Sequence, residues 1–377
     1  MHVLFEVKLG IVGGPQSWVC DIAPALKKRG IKVSVISIEL TTPTTNHFLN
    51  RLHSEGITVH HIILEGTKLD KLRAIYAGFR SVGKCDIAHF NSDNFAGLII
   101  PFAKIFHIPI RIIHSRTPKW GSGGQGWRDQ LLYRLFQWRV THDCTHGFGV
   151  TREALAGMFG ARGCKRIPCT VVPSAIRSAR FSDQIVLKGL VRLKARSNDL
   201  VMGFIGRFSP NKGLRLLIEV LFLLRNQGVN ASLVLMGHGP EEKTISDMAT
   251  QMGIDMHITF LPAGDNVGDV LTEQIDVLML PSDFEGTPRI VLEAQACGVP
   301  VICSSAVSND LSVVPELFHR MSLLDGHRAW AEMVERTCGV RVSSEYVASC
   351  FEKSCFEIEN QADMLIGRYK EFLKSSK

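Results

Sequence analysis

An alternation of strand-like and helix-like segments, which occurs twice along the chain, constrains the fold more than any other feature. In the first half, apolar runs typical of strands begin with "HVLFEV" (2–7) and recur with amphipathic segments between several of them. The rhythm restarts with "LVMGFIGR" (200–207) and continues to "VPVICSS" (299–305). Strands that alternate with helices indicate parallel sheets with crossover helices. The chain is therefore predicted to form two doubly wound α/β domains.

A weaker periodicity separates the two halves. The segment 174–198 has no clear strand or helix pattern and is predicted to connect the domains. A chain of 377 residues has the length of about two domains. We predict a first domain at 1–175, a second at 176–355, and an amphipathic helix at the C-terminal end.

The charges are distributed unevenly between the halves. Residues 1–180 contain 24 Lys and Arg against 11 Asp and Glu, a formal charge of +13, whereas the remainder carries −6. A basic half joined to an acidic half indicates that the basic half faces an anionic partner. An anionic membrane surface and a phosphorylated acceptor fit this charge. Nucleic acid is not expected, because the basic residues are not interleaved with a recognisable reading motif.

Several classes of protein are not expected from the composition. The most apolar window, 95–113, is interrupted by prolines and charged residues, which favours a buried helix and strand over a membrane span. The N-terminus has no basic n-region and no cleavage-like small residues, so no secretion signal is expected. The ten cysteines show no C-x-x-C and no zinc spacing, which favours a reducing cytosol and no bound metal.

Two glycine-containing turns follow strands in the second half. In "GFIGRFSPNKG" (203–213), Arg207 and Lys212 flank a Ser-Pro-Asn turn between a predicted strand and a predicted helix. A guanidinium and an ammonium at a helix N-terminus can bind a diphosphate, although surface charges on a solvated turn explain the spacing as well. In "LVLMGHGPEE", Gly237 and Gly239 allow backbone to approach a ligand or simply form a tight turn.

Two glutamates bracket a predicted helix start in "PSDFEGTPRIVLEAQACGVP". Thr287 is a suitable N-cap and Pro288 a suitable first residue, so a helix is predicted from here to about 297–298. Glu285 precedes the positive end of that helix and Glu293 lies nearly two turns inside. Carboxylates around an anion site are typical of recognition of a hydroxyl-rich ligand. Ordinary helix-surface charge is the alternative.

Taken together and in this order, "GRFSPNKG", "MGHGP", "ITFLP" and "LPSDFEGTPRIVLEAQACGVPVI" resemble the donor-binding half of the retaining glycosyltransferases of family 4. The resemblance implies the GT-B fold, with two Rossmann-like domains facing across a cleft and the C-terminal helix, 356–377, returning to the first domain. It covers nearly the whole chain and is strongest between 200 and 305. "HSRT" and "AVSNDLSVV" are most similar to capsule and exopolysaccharide enzymes of that family.

The resemblance assigns expected roles to the charged residues. Glu285 and Glu293 match the E-x7-E signature, which implies that Glu285 contacts hydroxyls of the donor sugar and Glu293 the ribose of the nucleotide. Arg207 and Lys212 match the basic pair that binds the donor diphosphate. His114 matches a family position near the reacting sugar, with a hydrogen-bonded structural histidine as the alternative. Further donor-binding residues are expected at Gly13, Gly14, Gly237, Gly239, Gly286, Thr287 and Pro288.

The expected reaction is transfer of a sugar from a nucleotide-diphosphate sugar, with UDP as the expected nucleotide, to a lipid-linked or polysaccharide acceptor. Retention of anomeric configuration, no cofactor and no essential metal are expected. The expected location is the cytoplasm, with the inner membrane face as a docking site. Two basic amphipathic stretches, 67–84 and 128–140, fit a membrane surface or ordinary crossover helices.

Two rival functions remain open at this level. A nucleotide-sugar 2-epimerase on the same fold would convert the nucleotide-sugar without an acceptor. A non-catalytic sugar-nucleotide-binding partner is favoured by three departures from the family pattern, at Ser174, Ala175 and Pro262. The E-x7-E spacing of Glu285 and Glu293, together with Arg207 and Lys212, opposes both rivals.

Overall fold

The protein forms two compact units. The computed structural model describes residues 1–10, 13–39, 47–117, 127–181, 200–264, 266–340 and 342–375. The first unit comprises Met1–Ala175 and Ile358–Lys377, and the second comprises Ile176–Glu357. The predicted connection at 174–198 lies mostly outside the described residues.

The first unit contains a sheet whose seven strands all run parallel. Its order is β3-β2-β1-β4-β5-β6-β7. The strands are β1 (His2–Glu6), β2 (Lys32–Glu39), β3 (Thr58–Ile63), β4 (Ile87–Phe90), β5 (Ile110–Ser115), β6 (His146–Gly149) and β7 (Cys169–Val171). The helices that precede the second unit are α1 (Gly14–Lys28), α2 (His47–Ser54), α3 (Lys68–Val82), α4 (Asp93–Ile105), α5 (Trp127–Asp143) and α6 (Arg152–Arg166).

Successive residues of each strand pack on opposite faces of this sheet. Val3 and Phe5 of β1 pack in the core with helix α1, whereas Leu4 packs in the core that contains residues of α3 to α6. This alternation follows from the two-residue repeat of a β-strand. Strands buried on both faces are therefore mostly apolar, as the central residues Val3, Leu4 and Phe5 of β1 are.

A C-terminal helix completes the first unit and returns to its sheet. Helix α13 (Ile358–Ser375) follows the second unit in sequence. Trp18 donates its indole N–H to Gln361, whose amide donates to the carbonyl oxygen of Pro173 at 2.7 Å. Arg29 pairs with Glu359 at 2.5 Å. The return of the C-terminal helix that the resemblance implied is confirmed.

The second unit repeats the architecture with six parallel strands. Their order is β10-β9-β8-β11-β12-β13. The strands are β8 (Leu200–Ile205), β9 (Ala231–Met236), β10 (Ile258–Leu261), β11 (Val277–Leu280), β12 (Val301–Ser304) and β13 (Phe318–Met321). The helices are α7 (Leu214–Asn226), α8 (Glu242–Gln251), α9 (Val267–Gln274), α10 (Arg289–Ala296), α11 (Gly326–Thr337) and α12 (Ser344–Glu352).

Both predicted parallel sheets are thus confirmed. The apolar window 95–113 forms most of α4 and the greater part of β5, as predicted from its interruptions. Within the described part of the chain, no helix combines the length and apolarity that crossing a bilayer requires.

Candidate functional site

Three predicted site residues of the second unit lie together at the carboxyl ends of its strands. Strand β8 has β9 on one side and β11 on the other, so the strand order reverses at β8. In open parallel sheets, ligands bind beyond the carboxyl ends of the strands at such a reversal. Arg207 and Lys212 follow β8, and Glu285 follows β11. The fold therefore brings these three predicted residues to one place.

Lys212 and Glu285 form an ion pair across this reversal. The ammonium Nζ lies 2.5 Å from Glu285 Oε1, and only 20% and 10% of the two side chains are exposed. Ser282 donates a second hydrogen bond to the same carboxylate oxygen, at 2.7 Å. The backbone N–H of Asp283 donates to the carbonyl oxygen of Asn211 at 2.9 Å, which joins the two loops. The pair is therefore held on both sides by its own loops.

Glycines let these loops approach each other closely. A Cβ atom on Gly213 would lie 2.1 Å from the carbonyl oxygen of Pro281, and Gly213 has a φ of +66°. A Cβ atom on Gly237 would lie 1.9 Å from the Gly206 carbonyl oxygen, and one on Gly239 would lie 2.2 Å from that of Phe208. Contacts this short exclude any side chain. Gly237 and Gly239 thus serve loop packing, and donor binding by them stays a prediction.

Arg207 is the exposed cation of the site. Within the described ranges, its guanidinium makes no hydrogen bond or ion pair, whereas Lys212 is bound to Glu285. Its own backbone lies between Gly206, which donates to the Met236 carbonyl oxygen, and Phe208, which donates to that of His238. A backbone bonded on both sides of Arg207 therefore presents its positive charge to solvent beside the ion pair.

The helix after Glu285 begins slightly later than predicted. Helix α10 starts at Arg289 and its N-cap is Pro288, with no side-chain capping bond, so the prediction that Thr287 is the N-cap is wrong. Pro288 has φ −69° and ψ 103°, an extended conformation that makes it the flanking residue of the helix. Gly286, Thr287 and Pro288 form the loop before the helix, where its positive dipole end lies.

Glu293 lies in the middle of α10 and has a cationic partner. Arg289 Nε lies 3.4 Å from Glu293 Oε1, and the two side chains are 5% and 13% exposed. The sequence did not identify Arg289 as a site residue, although its spacing of four from Glu293 was a usable signal. Each of the two signature glutamates is therefore paired with a basic side chain.

In the first unit, Gly13 and Gly14 lie at the start of α1. Gly13 is the N-cap of that helix and Gly14 its first residue. A Cβ atom on Gly13 would approach Gln16 Oε1 to 3.0 Å, so the space beside this glycine is limited by a flexible side chain. Ligand binding by these two glycines stays a prediction.

His114 is a core residue in this structure. It is fully buried, its Nδ1 lies 3.1 Å from His89 Nε2, and its Nε2 lies 2.8 Å from the Val172 carbonyl oxygen. Burial lowers the pKa of His114 well below its usual value, so the ring is neutral. The expectation that it faces the cleft is corrected: both ring nitrogens are engaged inside the first unit, as in the alternative of a structural histidine.

A polar cluster at the carboxyl ends of β1, β4 and β5 was missed by the sequence analysis. Glu6 accepts hydrogen bonds from the Ser92 hydroxyl at 2.5 Å and from the Asn91 backbone N–H at 3.2 Å. Arg116 donates to the Asn91 side chain and to the Ser174 hydroxyl. The departure from the family pattern at Ser174 thus provides a bonding partner for a buried arginine.

The described residues contain no group of three or more His, Cys, Asp or Glu side chains placed to hold a metal ion. The charged groups at the sheet edge of the second unit include the ion pairs Lys212–Glu285 and Arg289–Glu293 and the exposed Arg207.

Comparisons with known proteins show what this chain is similar to. Residues 191–334 match the family described as Glycosyl transferases group 1. Putative glycosyltransferase EpsF of Bacillus subtilis is 23% identical, over 81% of this chain and 80% of EpsF. D-inositol 3-phosphate glycosyltransferase of Rhodococcus erythropolis is 25% identical, over 96% of this chain and 87% of that protein. The crystal structure of HepE from Anabaena in complex with UDP-glucose has a TM-score of 0.74 at 16% identity, over 98% of this chain and 100% of HepE.

The comparisons confirm the fold and match part of the chain to a known family. The predicted GT-B fold is confirmed by the two parallel-sheet units and by the likeness to HepE. Residues 191–334 carry the match to the glycosyl transferases group 1 family, and the likeness to EpsF over 81% of the chain supports a transferase.

Proposed function

We propose that this protein is a retaining glycosyltransferase of family 4 that transfers a hexosyl group from a UDP-sugar to a lipid-linked or polysaccharide acceptor in cell-surface glycan synthesis. The observation that carries the proposal is the Lys212–Glu285 pair at the strand reversal of the second unit, with Arg207 exposed beside it. The likeness to HepE, whose structure contains UDP-glucose, supports UDP as the nucleotide.

Donor binding, in this proposal, exchanges partners at the ion pair. The diphosphate attracts Lys212 and Arg207 and meets the positive end of α10, where anions are stabilised. Glu285 then shares Lys212 with the phosphates and accepts hydroxyl groups of the sugar. Ser282 keeps the carboxylate in place during the exchange, because its hydrogen bond does not depend on the lysine.

The same cations stabilise the leaving group. Departure of the sugar places additional negative charge on the diphosphate, and preorganised cations lower the free energy of that transition state. We propose that Arg207 and Lys212 perform this role and that the reaction needs no divalent metal. The proposal is supported by the position of both cations at the sheet edge.

The donor site is tested by the thermal stability of the protein with a panel of nucleoside diphosphates and nucleotide-sugars. Lys212→Ala and Glu293→Ala are compared with Lys243→Ala, whose side chain is 84% exposed on α8. Ligand at about 100 times its Kd should stabilise the wild type by about 2.7 kcal/mol. The response should be greatest for UDP or UDP-sugars, lost in the first two variants and retained in the third.

The same experiment separates the rival functions. A wild type that responds to no nucleotide would contradict the proposed donor site and favour a non-catalytic protein with another ligand. Product analysis of the best UDP-sugar separates transfer from epimerisation, since an epimerase changes the sugar without an acceptor and releases no UDP. Epimerised nucleotide-sugar would overturn the transferase proposal while retaining the donor site.

A second surface supports a membrane-linked acceptor. The outer helical face is defined by apolar side chains of α3, α4 and α5 that are each 39–60% exposed: Leu69, Leu72, Tyr76, Leu98, Ile105, Leu131, Leu135 and Trp138. The three helices are neighbours, because Tyr76 contacts Phe106 with ring centroids 4.9 Å apart and Gly97 of α4 lies against Phe136 of α5. The sequence pointed to α3 and α5, and the structure adds α4 between them.

Exposed cations surround the same face. They are Lys68, Arg73, Arg80, Lys84, Lys104 and Arg134. Apolar side chains combined with basic ones are typical of segments that lie in the surface of an anionic bilayer. We propose that the outer helical face docks on an anionic membrane and brings the enzyme to a lipid-linked acceptor. This partner is supported by the +13 formal charge of residues 1–180.

Vesicle sedimentation tests this docking. Vesicles of phosphatidylcholine with and without phosphatidylglycerol are mixed with the wild type and with the double variant Leu72→Glu/Trp138→Glu. Binding to the anionic vesicles should weaken about tenfold or more in the variant, because two apolar anchors become anions. Leu324→Glu is the control, since that leucine is 96% exposed in the second unit. Equal binding by the wild type and the double variant would contradict this surface.

A further inference from the structure

Arg289 occupies a position that is unfavourable for stability alone. It is the first residue of α10, and the first turn of that helix contains no acidic residue. A helix N-terminus carries a partial positive charge that favours anions and disfavours cations. The side chain is only 5% exposed, so its charge is also largely removed from water. A buried arginine at this point needs an explanation beyond helix formation.

Its partner is the glutamate expected to contact the nucleotide. Arg289 Nε and Glu293 Oε1 lie 3.4 Å apart, one helical turn from each other. The order of a cation N-terminal to an anion is the less favourable one for an isolated helix. The pair therefore stabilises the helix little in itself, and it places a positive charge beside the Glu293 carboxylate.

The other signature glutamate, Glu285, also has a basic partner. Glu285 is bound by Lys212 at 2.5 Å and by Ser282 at 2.7 Å. Both carboxylates thus have a basic side chain close by, which reduces their repulsion of an anionic ligand. Arg289 pairs with Glu293 within one helix at 3.4 Å, whereas Lys212 reaches Glu285 from a separate loop.

We propose that Arg289 is a positioning residue for Glu293, holding its carboxylate in the orientation that accepts the 2′- and 3′-hydroxyl groups of the donor ribose. This inference rests on the proposed donor function of the second unit. Arg289 acts through Glu293, so its removal weakens recognition of the ribose diol and leaves the contacts of the diphosphate in place.

The test compares a nucleotide that has the diol with one that lacks it. Binding of UDP and of 2′,3′-dideoxy-UDP is measured by calorimetry for the wild type, Arg289→Met, Glu293→Gln and the double variant. Each single variant should lose about tenfold in UDP affinity, the usual effect of losing a charged hydrogen bond. Affinity for dideoxy-UDP should be unchanged, and the double variant should equal the singles because both act on one contact.

Two further variants keep the result specific. Arg289→Lys retains the charge and should recover most of the lost UDP affinity. Lys243→Met removes the cation of an exposed i, i+4 pair with Asp247 on α8 and should bind both nucleotides as the wild type does. If Arg289→Met does not fold, Arg289→Gln replaces it, since glutamine removes the charge, keeps a polar side chain and is expected to show the same loss confined to the nucleotide with the diol.

Other outcomes overturn the inference. Equal losses for UDP and dideoxy-UDP in Arg289→Met would indicate a phosphate contact or a structural role, and no loss for either would remove Arg289 from the site. Failure of the wild type to bind UDP would instead contradict the proposed nucleotide. The comparison is then repeated with the nucleoside diphosphate that stabilises the wild type and with its 2′,3′-dideoxy analogue.

Discussion

Glu6 shows how a single buried acid connects sequence to pH-dependent stability. The residue ends β1, is 1% exposed, and accepts hydrogen bonds from Ser92 and Asn91. Burial raises the pKa of Glu6 from 4.5 to about 7, although its hydrogen bonds and Lys8 act in the opposite direction. Asp93 nearby has its pKa raised to about 6, again by burial. The folded protein therefore holds protons here that the unfolded chain releases.

We expect this acid to destabilise the protein as the pH rises. Its folded pKa lies above its unfolded value, so its favourable contribution is complete below about pH 4.5 and is lost as the pH passes about 7. Between pH 5 and 8 the wild type should lose on the order of 2 kcal/mol of its free energy of unfolding through this group, and Glu6→Gln should not show that loss. Thermal unfolding at both pH values measures this, and the same pH slope in wild type and variant would refute it.

Gly213 carries a second prediction at the level of one residue. Its φ of +66° and the 2.1 Å approach to the Pro281 carbonyl oxygen both exclude a Cβ atom. Gly213→Ala should therefore lower stability by about 3 kcal/mol or more and disturb the Lys212–Glu285 pair. Gly253→Ala is the matched control, because that residue has a φ of +68° with nothing within 4 Å of the added atom. It should cost only about 1 kcal/mol.

The residue scale also shows which site residues a sequence can identify. Arg207, Lys212, Glu285 and Glu293 were identified because their motifs keep a fixed spacing along the chain. Arg289 was missed, because a lone arginine in a helical pattern is usually a surface residue. His114 was expected in the cleft, but the direction of a side chain at a strand end depends on partners such as Val172, which lies 58 residues away.

At the scale of the element, α13 depends on polar contacts with a buried interior. Tyr369 is fully buried, and its hydroxyl lies 2.7 Å from His89 Nδ1. His89 in turn contacts His114, which contacts the Val172 carbonyl oxygen. The Tyr369 hydroxyl therefore connects α13 to a series of hydrogen-bonded side chains on β4 and β5.

Removal of that hydroxyl should destabilise the docked helix. Tyr369→Phe leaves a buried histidine nitrogen without its partner, which should cost about 1–3 kcal/mol. Tyr346→Phe is the matched control, since Tyr346 is 40% exposed and its hydroxyl bonds to the exposed carboxylate of Glu316. Thermal unfolding of the two variants decides the matter, and equal melting temperatures would contradict the role of the buried contact.

Helix boundaries were predictable only to within a residue or two. The motif from Thr287 predicted a helix, and α10 forms, but its first residue is Arg289. Pro288 adopts an extended ψ of 103°, and helix propensities do not determine this backbone conformation.

At the scale of the whole molecule, the uneven charge predicts salt-sensitive membrane binding. Residues 1–180 carry +13 and the remainder −6. Screening lengths fall from about 10 Å at 0.1 M salt to about 3 Å at 1 M, so the attraction of the basic half to anionic lipid should weaken steeply. Binding of the full chain to phosphatidylglycerol vesicles should therefore decrease severalfold over this range. Binding that is insensitive to salt would leave the apolar side chains as the sole attachment.

The amino-acid sequence by itself determined the two parallel sheets and the grouping of charged motifs after their strands. Both follow from local patterns, because apolar periodicity and short spacings act between residues that are near in sequence. Tertiary structure alone decided that Lys212 meets Glu285, that Arg289 is buried, and that His114 belongs to the core. These outcomes depend on strand order and on burial, which arise only when distant segments pack together and compete for the same partners.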